Sequence, residues 1–296
     1  MTGWIKRHVW LILIGGLLLV ASTIGWPVVY LSRTREYEPV RIPVGNYEIS
    51  GILSRGSNAS GAFVILVHGN RGEGIGHELY RRILNNLDRR TTILAINLSG
   101  FGESSREATA VSEKIFDRSE EVLAAVDFLE DISGSSDDQI VLIGHSLGAA
   151  QIFNVACDRR FRLAIAIGMG DYERVLIDRE DLEQYAYRFE KNSNSIVDRD
   201  RLLTEMRDFT PEVLFSSCPM TPMAIIYGSR EYDRRVIREW YETLPAGCRA
   251  NSRWIVIPVS NHMYWTENDN LPQPLGDLQA DLSVSLLVYR LNGMLR

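Results

Sequence analysis

Four stretches of the chain, 62–67, 92–97, 139–143 and 163–167, are apolar at nearly every position rather than at every second one. A strand with one face in water alternates, whereas a strand covered on both faces reads as a continuous apolar run, so these four predict a mostly parallel sheet with helices on both sides. Between them the period lengthens. Residues 76–87 and 112–130 read as helices, the second with Ile115, Val122, Ala125, Val126 and Leu129 recurring along one face. Two further strands are expected at 223–227 and 254–259, with a helix at about 234–244 between them and a last helix at about 277–294. Ahead of the first buried strand, 40–44 and 47–53 flank the Gly45-Asn46 turn and read as an antiparallel lead-in.

Two segments depart from this alternation. Residues 171–219 are long, charged and carry Tyr172, Tyr185, Tyr187 and Phe189, which predicts short helices rather than a strand. Such an insertion lies over the C-terminal edge of the sheet, where open α/β sheets bind ligands, and is read as a lid or substrate-selecting cap. The alternative is a solvated excursion without function. At the other extreme, 9–31 carries no charge. As a helix it would reach about 35 Å, enough for a hydrocarbon core of about 30 Å, and Trp4, Trp10, Trp26 and Tyr30 fall near its ends. It is read as a retained transmembrane helix, so that membrane lipid is an expected partner and a single-pass membrane location the expected one. A cleaved signal peptide with a site near Ala21-Ser22-Thr23 is the competing reading. Lys6 and Arg7 on one flank and Arg33, Arg35 and Arg41 on the other leave the orientation undecided. The expected domains are thus 1–35, an anchor with its flanks, and 36–296, an α/β domain with a cap insertion at about 171–219.

Composition narrows the function. Of 296 residues, 45% are apolar and 24% charged, as in ordinary globular domains, and a net charge of −6 without any basic stripe argues against a nucleic-acid partner. The three cysteines make no CxxC or Cys/His pattern, so no metal site is expected; a Cys218–Cys248 bridge stays open, and Cys157 reads as an inert thiol.

The pentapeptide Gly144-His145-Ser146-Leu147-Gly148 fits G-x-S-x-G, a pattern short enough to arise by chance. Here it directly follows a buried strand and precedes the helix-forming Ala149-Ala150-Gln151-Ile152-Phe153, the strand, sharp turn and helix that expose a nucleophilic hydroxyl. Ser146 needs a base. Of five histidines, His8 adjoins the apolar run, His145 is inside the motif, and His68 and His77 belong to or follow the first glycine loop. His262, after the last strand, completes the order Ser, acid, His. The acid is read as Glu231, after the strand 223–227 and the turn Gly228-Ser229-Arg230, with Asp233 and Asp171 as alternatives; Asp233 also suits a helix N-cap. For the oxyanion, backbone N–H groups of Asn70, in His68-Gly69-Asn70-Arg71-Gly72, and of Leu147 are the candidates. The glycines at 69, 72, 74 and 76 fit no phosphate-cradling pattern.

Taken together, His68-Gly69, Gly100-Phe101-Gly102-Glu103-Ser104, Gly144-His145-Ser146-Leu147-Gly148, Gly228-Ser229-Arg230-Glu231 and His262 resemble the α/β-hydrolase superfamily from about Val40 to the C-terminus. The resemblance implies the α/β-hydrolase fold and a serine hydrolase without metal or organic cofactor, cleaving an ester or thioester of a small molecule, a lipid or an acylated substrate. Members usually have Asp where Glu231 stands and often a small residue where Asn261 precedes the histidine. A serine nucleophile argues against the epoxide-hydrolase and haloalkane-dehalogenase branches. An amidase or peptidase with the same residues, and a catalytically inactive membrane-tethered binding domain, are the alternatives.

Overall fold

A computed structural model describes residues 35–57, 62–104, 114–177, 179–193, 197–216, 218–231, 233–258, 260–262 and 273–296. The apolar run 9–31 lies outside them. Among the described residues no helix is long and apolar enough to cross a membrane.

Eight strands form one sheet: β1 Glu38–Val44, β2 Tyr47–Ser54, β3 Phe63–Val67, β4 Thr92–Ile96, β5 Ile140–His145, β6 Leu163–Ile167, β7 Met223–Gly228 and β8 Ser252–Ile257. Their spatial order is β1-β2-β4-β3-β5-β6-β7-β8. β2 runs antiparallel to both neighbours, and every other pairing is parallel. The expected lead-in and buried strands are therefore present, with β8 starting two residues earlier than the apolar run suggested.

The continuous apolar runs have the predicted cause. Ile65, Val67, Leu142, Ala166 and Ile225 face one core, packed against Val122, Val126, Ile152 and Phe153. Their neighbours Val64, Leu66, Val141, Ile165 and Ile226 face the other, against Leu79, Ile83, Val284, Leu287 and Leu291. The helices supplying these residues are α1 Glu78–Asn86, α2 Ser119–Ser133 and α3 Leu147–Asp158 before the insertion, and α10 Gln273–Leu295 at the end. α8 Arg234–Thr243 and the five-residue α9 Ala246–Ala250, which the apolar pattern did not announce, lie between β7 and β8.

The register places the site. Val67 pairs with Gly144, His145 with Ile167, Ile167 with Ile226 and Gly228 with Ile257. The central strands therefore end level, and the segments after β3, β5, β6, β7 and β8 leave the sheet at one edge.

α2 begins at Ser119, later than the period suggested, for a local reason. The backbone N–H groups of Ile115, Phe116 and Asp117 all donate to Glu205 Oε2, at 2.7, 2.6 and 3.1 Å. A carboxylate thus takes the donors that a helix would otherwise direct along its own axis. Glu205 belongs to the insertion, which consists of α4 Tyr172–Ile177, α5 Arg179–Ser193, α6 Arg199–Arg207 and α7 Pro211–Ser216, the short helices expected.

Cys218 and Cys248 form a disulfide with Cα atoms 5.5 Å apart, joining the segment before β7 to α9. Cys157 on α3 is half-buried, and burial pushes its thiol up to about 11, as an unreactive cysteine requires. Closing a loop of 30 residues restricts the unfolded chain by about 3–4 kcal/mol. Replacing both bridging cysteines by serine is expected to lower the unfolding free energy by roughly that amount. Urea denaturation of the oxidised wild type and the double variant checks it; equal midpoints would show that the bridge adds nothing.

Candidate active site

Ser146 stands between β5 and α3 with φ 53° and ψ −115°, the one non-glycine residue at positive φ among those described. Such a conformation costs on the order of 1–3 kcal/mol and persists only where its surroundings hold it. The Ser146 amide donates to the Ile167 carbonyl at 2.9 Å, and its own carbonyl accepts from Ala149 at 3.0 Å. The flanking glycines are steric necessities: a Cβ on Gly144 would lie 2.3 Å from the Gly148 oxygen, and one on Gly148 would lie 2.5 Å from the Val67 oxygen. Gly69 closes the turn from the β3 side, where a Cβ would come within 2.8 Å of Ser146 Cβ.

His262, after β8, and Glu231, after β7, are brought together. His262 Nδ1 and Glu231 Oε2 are 3.0 Å apart, and Glu231 Oε1 accepts the Gly228 N–H. Glu231 is 8% exposed, so its carboxylate meets the ring largely out of water. Gly168, at φ +57°, lies beneath the pair; a Cβ there would be 2.8 Å from Glu231 Oε2 and 3.1 Å from His262 Nδ1.

The two alternative acids are engaged elsewhere. Asp171 Oδ1 accepts from the Arg174 N–H at 3.4 Å, at the start of α4, while the Asp171 amide donates to Asp233 Oδ2 at 3.3 Å. Asp233 directly precedes α8 but makes no side-chain cap to it, contrary to the expected N-cap role, because its carboxylate is spent on the Asp171 amide. Burial raises both carboxyls above their usual range.

His145 ties the separate loops into one body. Its Nε2–H donates to the His262 carbonyl at 2.8 Å, and its Nδ1 accepts from the Tyr80 hydroxyl at 2.8 Å. Tyr80 in turn accepts the Gly69 N–H at 2.7 Å. A carbonyl can only accept, so His145 carries its proton on Nε2, and a neutral ring leaves Nδ1 to accept from the Tyr80 hydroxyl. Burial, with His262 next to it, pushes the His145 pKa well down, in agreement. His68 is held the same way: Nδ1–H donates to the Gly69 carbonyl at 2.6 Å, Nε2 accepts from Leu98 N–H at 3.0 Å, and burial lowers it to about 4. These two histidines are structural connectors.

Asn70 follows Gly69 and is gripped by the insertion. Asn192 Nδ2 on α5 donates to the Asn70 carbonyl at 3.0 Å and to its Oδ1 at 3.2 Å. Leu147 is the first residue of α3, where a helix has N–H groups without internal partners. Asn70, Ser146, Glu231 and His262 line a cavity of about 470 Å³ to which Tyr172, Val175, Tyr185 and Asn192 of the insertion also contribute. Among the described residues no three His, Cys, Asp or Glu side chains converge as metal ligands would.

The sheet order, the turn at Ser146 and the level strand ends agree with a sequence profile of the alpha/beta hydrolase family, which matches residues 64–290. The chain is an α/β hydrolase. Among solved structures, the uncomplexed acylaminoacyl peptidase of Pyrococcus horikoshii superposes on this hydrolase with a TM-score of 0.61 at 14% identity, over 89% of this chain. The hydrolase spans only 42% of that peptidase's length. Est1E of Butyrivibrio proteoclasticus with bound ferulic acid gives 0.55 at 14% identity, covering 85% of this chain and 99% of that one. The Pyrococcus furiosus esterase Pf2001 gives 0.55 at 18%, covering 84% and 92%. At such identities the likeness speaks for the fold.

Sequence reasoning missed Tyr80 and Asn192. Tyr80 sat among core residues of a predicted helix, and the one signal was that a buried phenol requires a partner. Asn192, in a charged helix, carried none.

The neutral histidines make the α/β hydrolase acid-sensitive in a defined window. His68 titrates near 6.5 when exposed and near 4 in the fold, so below pH 6.5 the unfolded chain binds a proton that the folded chain does not. Stability present above pH 6.5 therefore falls as the pH approaches 4, by about 3 kcal/mol from this residue. Urea midpoints between pH 8 and 4 are expected to fall more steeply for wild type than for His68→Gln. Parallel curves would rule out a contribution from His68.

Proposed function

We propose that this α/β hydrolase is a serine hydrolase that cleaves carboxylic esters or thioesters through Ser146, His262 and Glu231. The observation that supports this most is the 3.0 Å contact between His262 Nδ1 and a largely buried Glu231 carboxylate, opening on the same cavity as Ser146. A carboxylate at Nδ1 holds the tautomer whose Nε2 is free to take a proton, and it stabilises the imidazolium that results. Ser146 Oγ attacks the substrate carbonyl carbon as its proton passes to His262 Nε2. The carbonyl oxygen becomes an oxyanion, held by the Asn70 and Leu147 N–H groups. Collapse of the adduct expels the alcohol or thiol, which takes the proton from His262 and leaves acyl-Ser146. Water then attacks the acyl carbon with His262 again as base, releasing the acid and the free serine.

An amidase or peptidase would use the same groups. Its specific support is the likeness to an acylaminoacyl peptidase, a protein of which this chain spans 42%. Relative rates on aryl esters and on acylaminoacyl amides separate the two readings. A fluorophosphonate probe is expected to label Ser146 in wild type and to fail in Ser146→Ala and His262→Ala, with ester hydrolysis reduced at least about 10³-fold in each. An unlabelled, folded wild type would refute catalysis and leave a binding domain.

The apolar run 9–31 is read as a tether that brings the site to substrates in or near a bilayer. The Cys218–Cys248 bridge favours the oxidising side of the membrane for the catalytic domain. Carbonate washing is expected to leave the full chain in the pellet, and thiol alkylation before reduction to reach one cysteine of three. Release by carbonate would discard the tether; three reactive thiols would put the domain on the reducing side.

A further inference from the structure

The charged side chains around the cavity fall into two sets. Glu231 is committed to His262 and to the Gly228 amide. Asp181 pairs with Arg174 at 3.1 Å. Asp171 and Asp233 accept from the backbone N–H groups of Arg174 and Asp171, both in the segment after β6. Arg71 and Arg188 also line the cavity, and both are exposed. Among the described residues neither forms an ion pair with a carboxylate; the Arg188 Nε donates to its own helix, to the Gln184 carbonyl at 3.2 Å.

Their nearness is built in rather than accidental. Arg71 directly follows Asn70, and Arg188 lies on α5 three residues after Tyr185 and four before Asn192, so all three share one helical face. Asn192 is the residue that bonds Asn70, and Tyr185 lines the same cavity. The backbone agrees, since a Cβ on Gly72 would lie 3.3 Å from the Asn192 carbonyl oxygen. The bonds that fix the loop after β3 therefore also hold the backbones that carry Arg71 and Arg188 against each other at the cavity they both line. Two like charges facing the same space repel, and an anion between them would reverse the sign of that interaction. Guanidinium groups meet carboxylate and phosphate oxygens with paired hydrogen bonds, which adds orientation to attraction.

We propose that the substrate of this cavity is an ester bearing an anionic group, a carboxylate or a phosphate, which Arg71 and Arg188 hold while the scissile carbonyl lies over Ser146. The assignment rests on the ester-cleaving reading of the same site. It divides the labour of the cavity: the wall of α5 and the loop after β3 orients the substrate by charge, and the opposite edge carries the base and its carboxylate.

The test compares matched esters with and without the anion. For the carboxylate source, mono-p-nitrophenyl glutarate is set against p-nitrophenyl pentanoate. For the phosphate source, 1,2-dibutyrylglycerol 3-phosphate is set against 1,2-dibutyrylglycerol. Wild type is expected to favour the anionic member of at least one pair by tenfold or more in kcat/KM, and that pair names the source. Arg71→Gln and Arg188→Gln, at exposed positions that do not endanger folding, are each expected to lower that ratio at least tenfold. No preference in either pair, or a preference that survives both substitutions, overturns the proposal. Fluorophosphonate labelling of the same preparations keeps the two readings apart: labelled Ser146 without an anionic preference removes the arginine site and leaves the esterase. Should neither labelling nor hydrolysis occur, monomethyl glutarate and inorganic phosphate are titrated calorimetrically into Ser146→Ala. Binding that both arginine substitutions abolish sustains the anion site without the chemistry, and no binding overturns it.

Discussion

Ser146 occupies a backbone conformation that side-chain-bearing residues rarely adopt, and the loops of this hydrolase are arranged around the need to hold it there. The turn is stable only because three neighbours lack side chains. Gly144 and Gly148 let β5 and α3 meet with contacts that any Cβ would make impossible, and Gly69 lets the loop after β3 lie directly on Ser146. That closeness has a second effect, since it brings the Asn70 peptide next to the serine. The strain of the turn, on the order of 1–3 kcal/mol, is small beside the burial of β5, whose six residues are all inside. Two-sided packing of a parallel strand is thus what makes the strained, half-buried serine affordable.

Buried imidazoles do the joining around that turn because each offers one donor and one acceptor at opposite ends of a rigid ring. His145 spans from Tyr80 to the His262 backbone, and His68 spans from the Gly69 carbonyl to the Leu98 amide. Both must stay neutral to do so, and burial ensures it. His262 differs in that its ring is 42% exposed and faces a carboxylate. Exposure and partner, not residue type, separate His262, beside a carboxylate at the cavity, from the two histidines that hold loops in place.

Much of this was legible along the chain, for reasons that can be named. Strands buried on both faces must be apolar throughout, so β3 to β6 announced themselves. G-x-S-x-G between a strand and a helix has few alternative explanations, and the order Ser146, Glu231, His262 follows from strand order. What escaped notice depends on contacts distant in sequence. Asp233 has a suitable position for a cap, yet its carboxylate is drawn 62 residues away to the Asp171 amide. Periodicity through Ile115 continued α2 backwards, but Glu205, 90 residues on, takes that backbone donor. No local pattern carries such information. The tether read from 9–31 belongs to neither group, because those residues lie outside the described structure.

The insertion between β6 and β7 shows how far a sequence-level word such as cap can mislead about mechanics. Phe189, Leu202, Met206 and Phe209 are at most 1% exposed and belong to the same core as the sheet and α2. At about 1.5–3 kcal/mol for each such side chain, lifting the insertion away would cost up to about 6–12 kcal/mol, on the scale of the stability of a whole domain. Glu205 adds three backbone bonds to the loop before α2, and Asn192 adds two to Asn70. A segment bonded in this way moves only if the site itself is taken apart. The side chains of α5 that line the cavity are therefore held in its wall by the same packing. Widening the cavity would cost the packing of α5 and α6 as well as the bonds that Asn192 makes to Asn70 and Glu205 makes to the loop before α2.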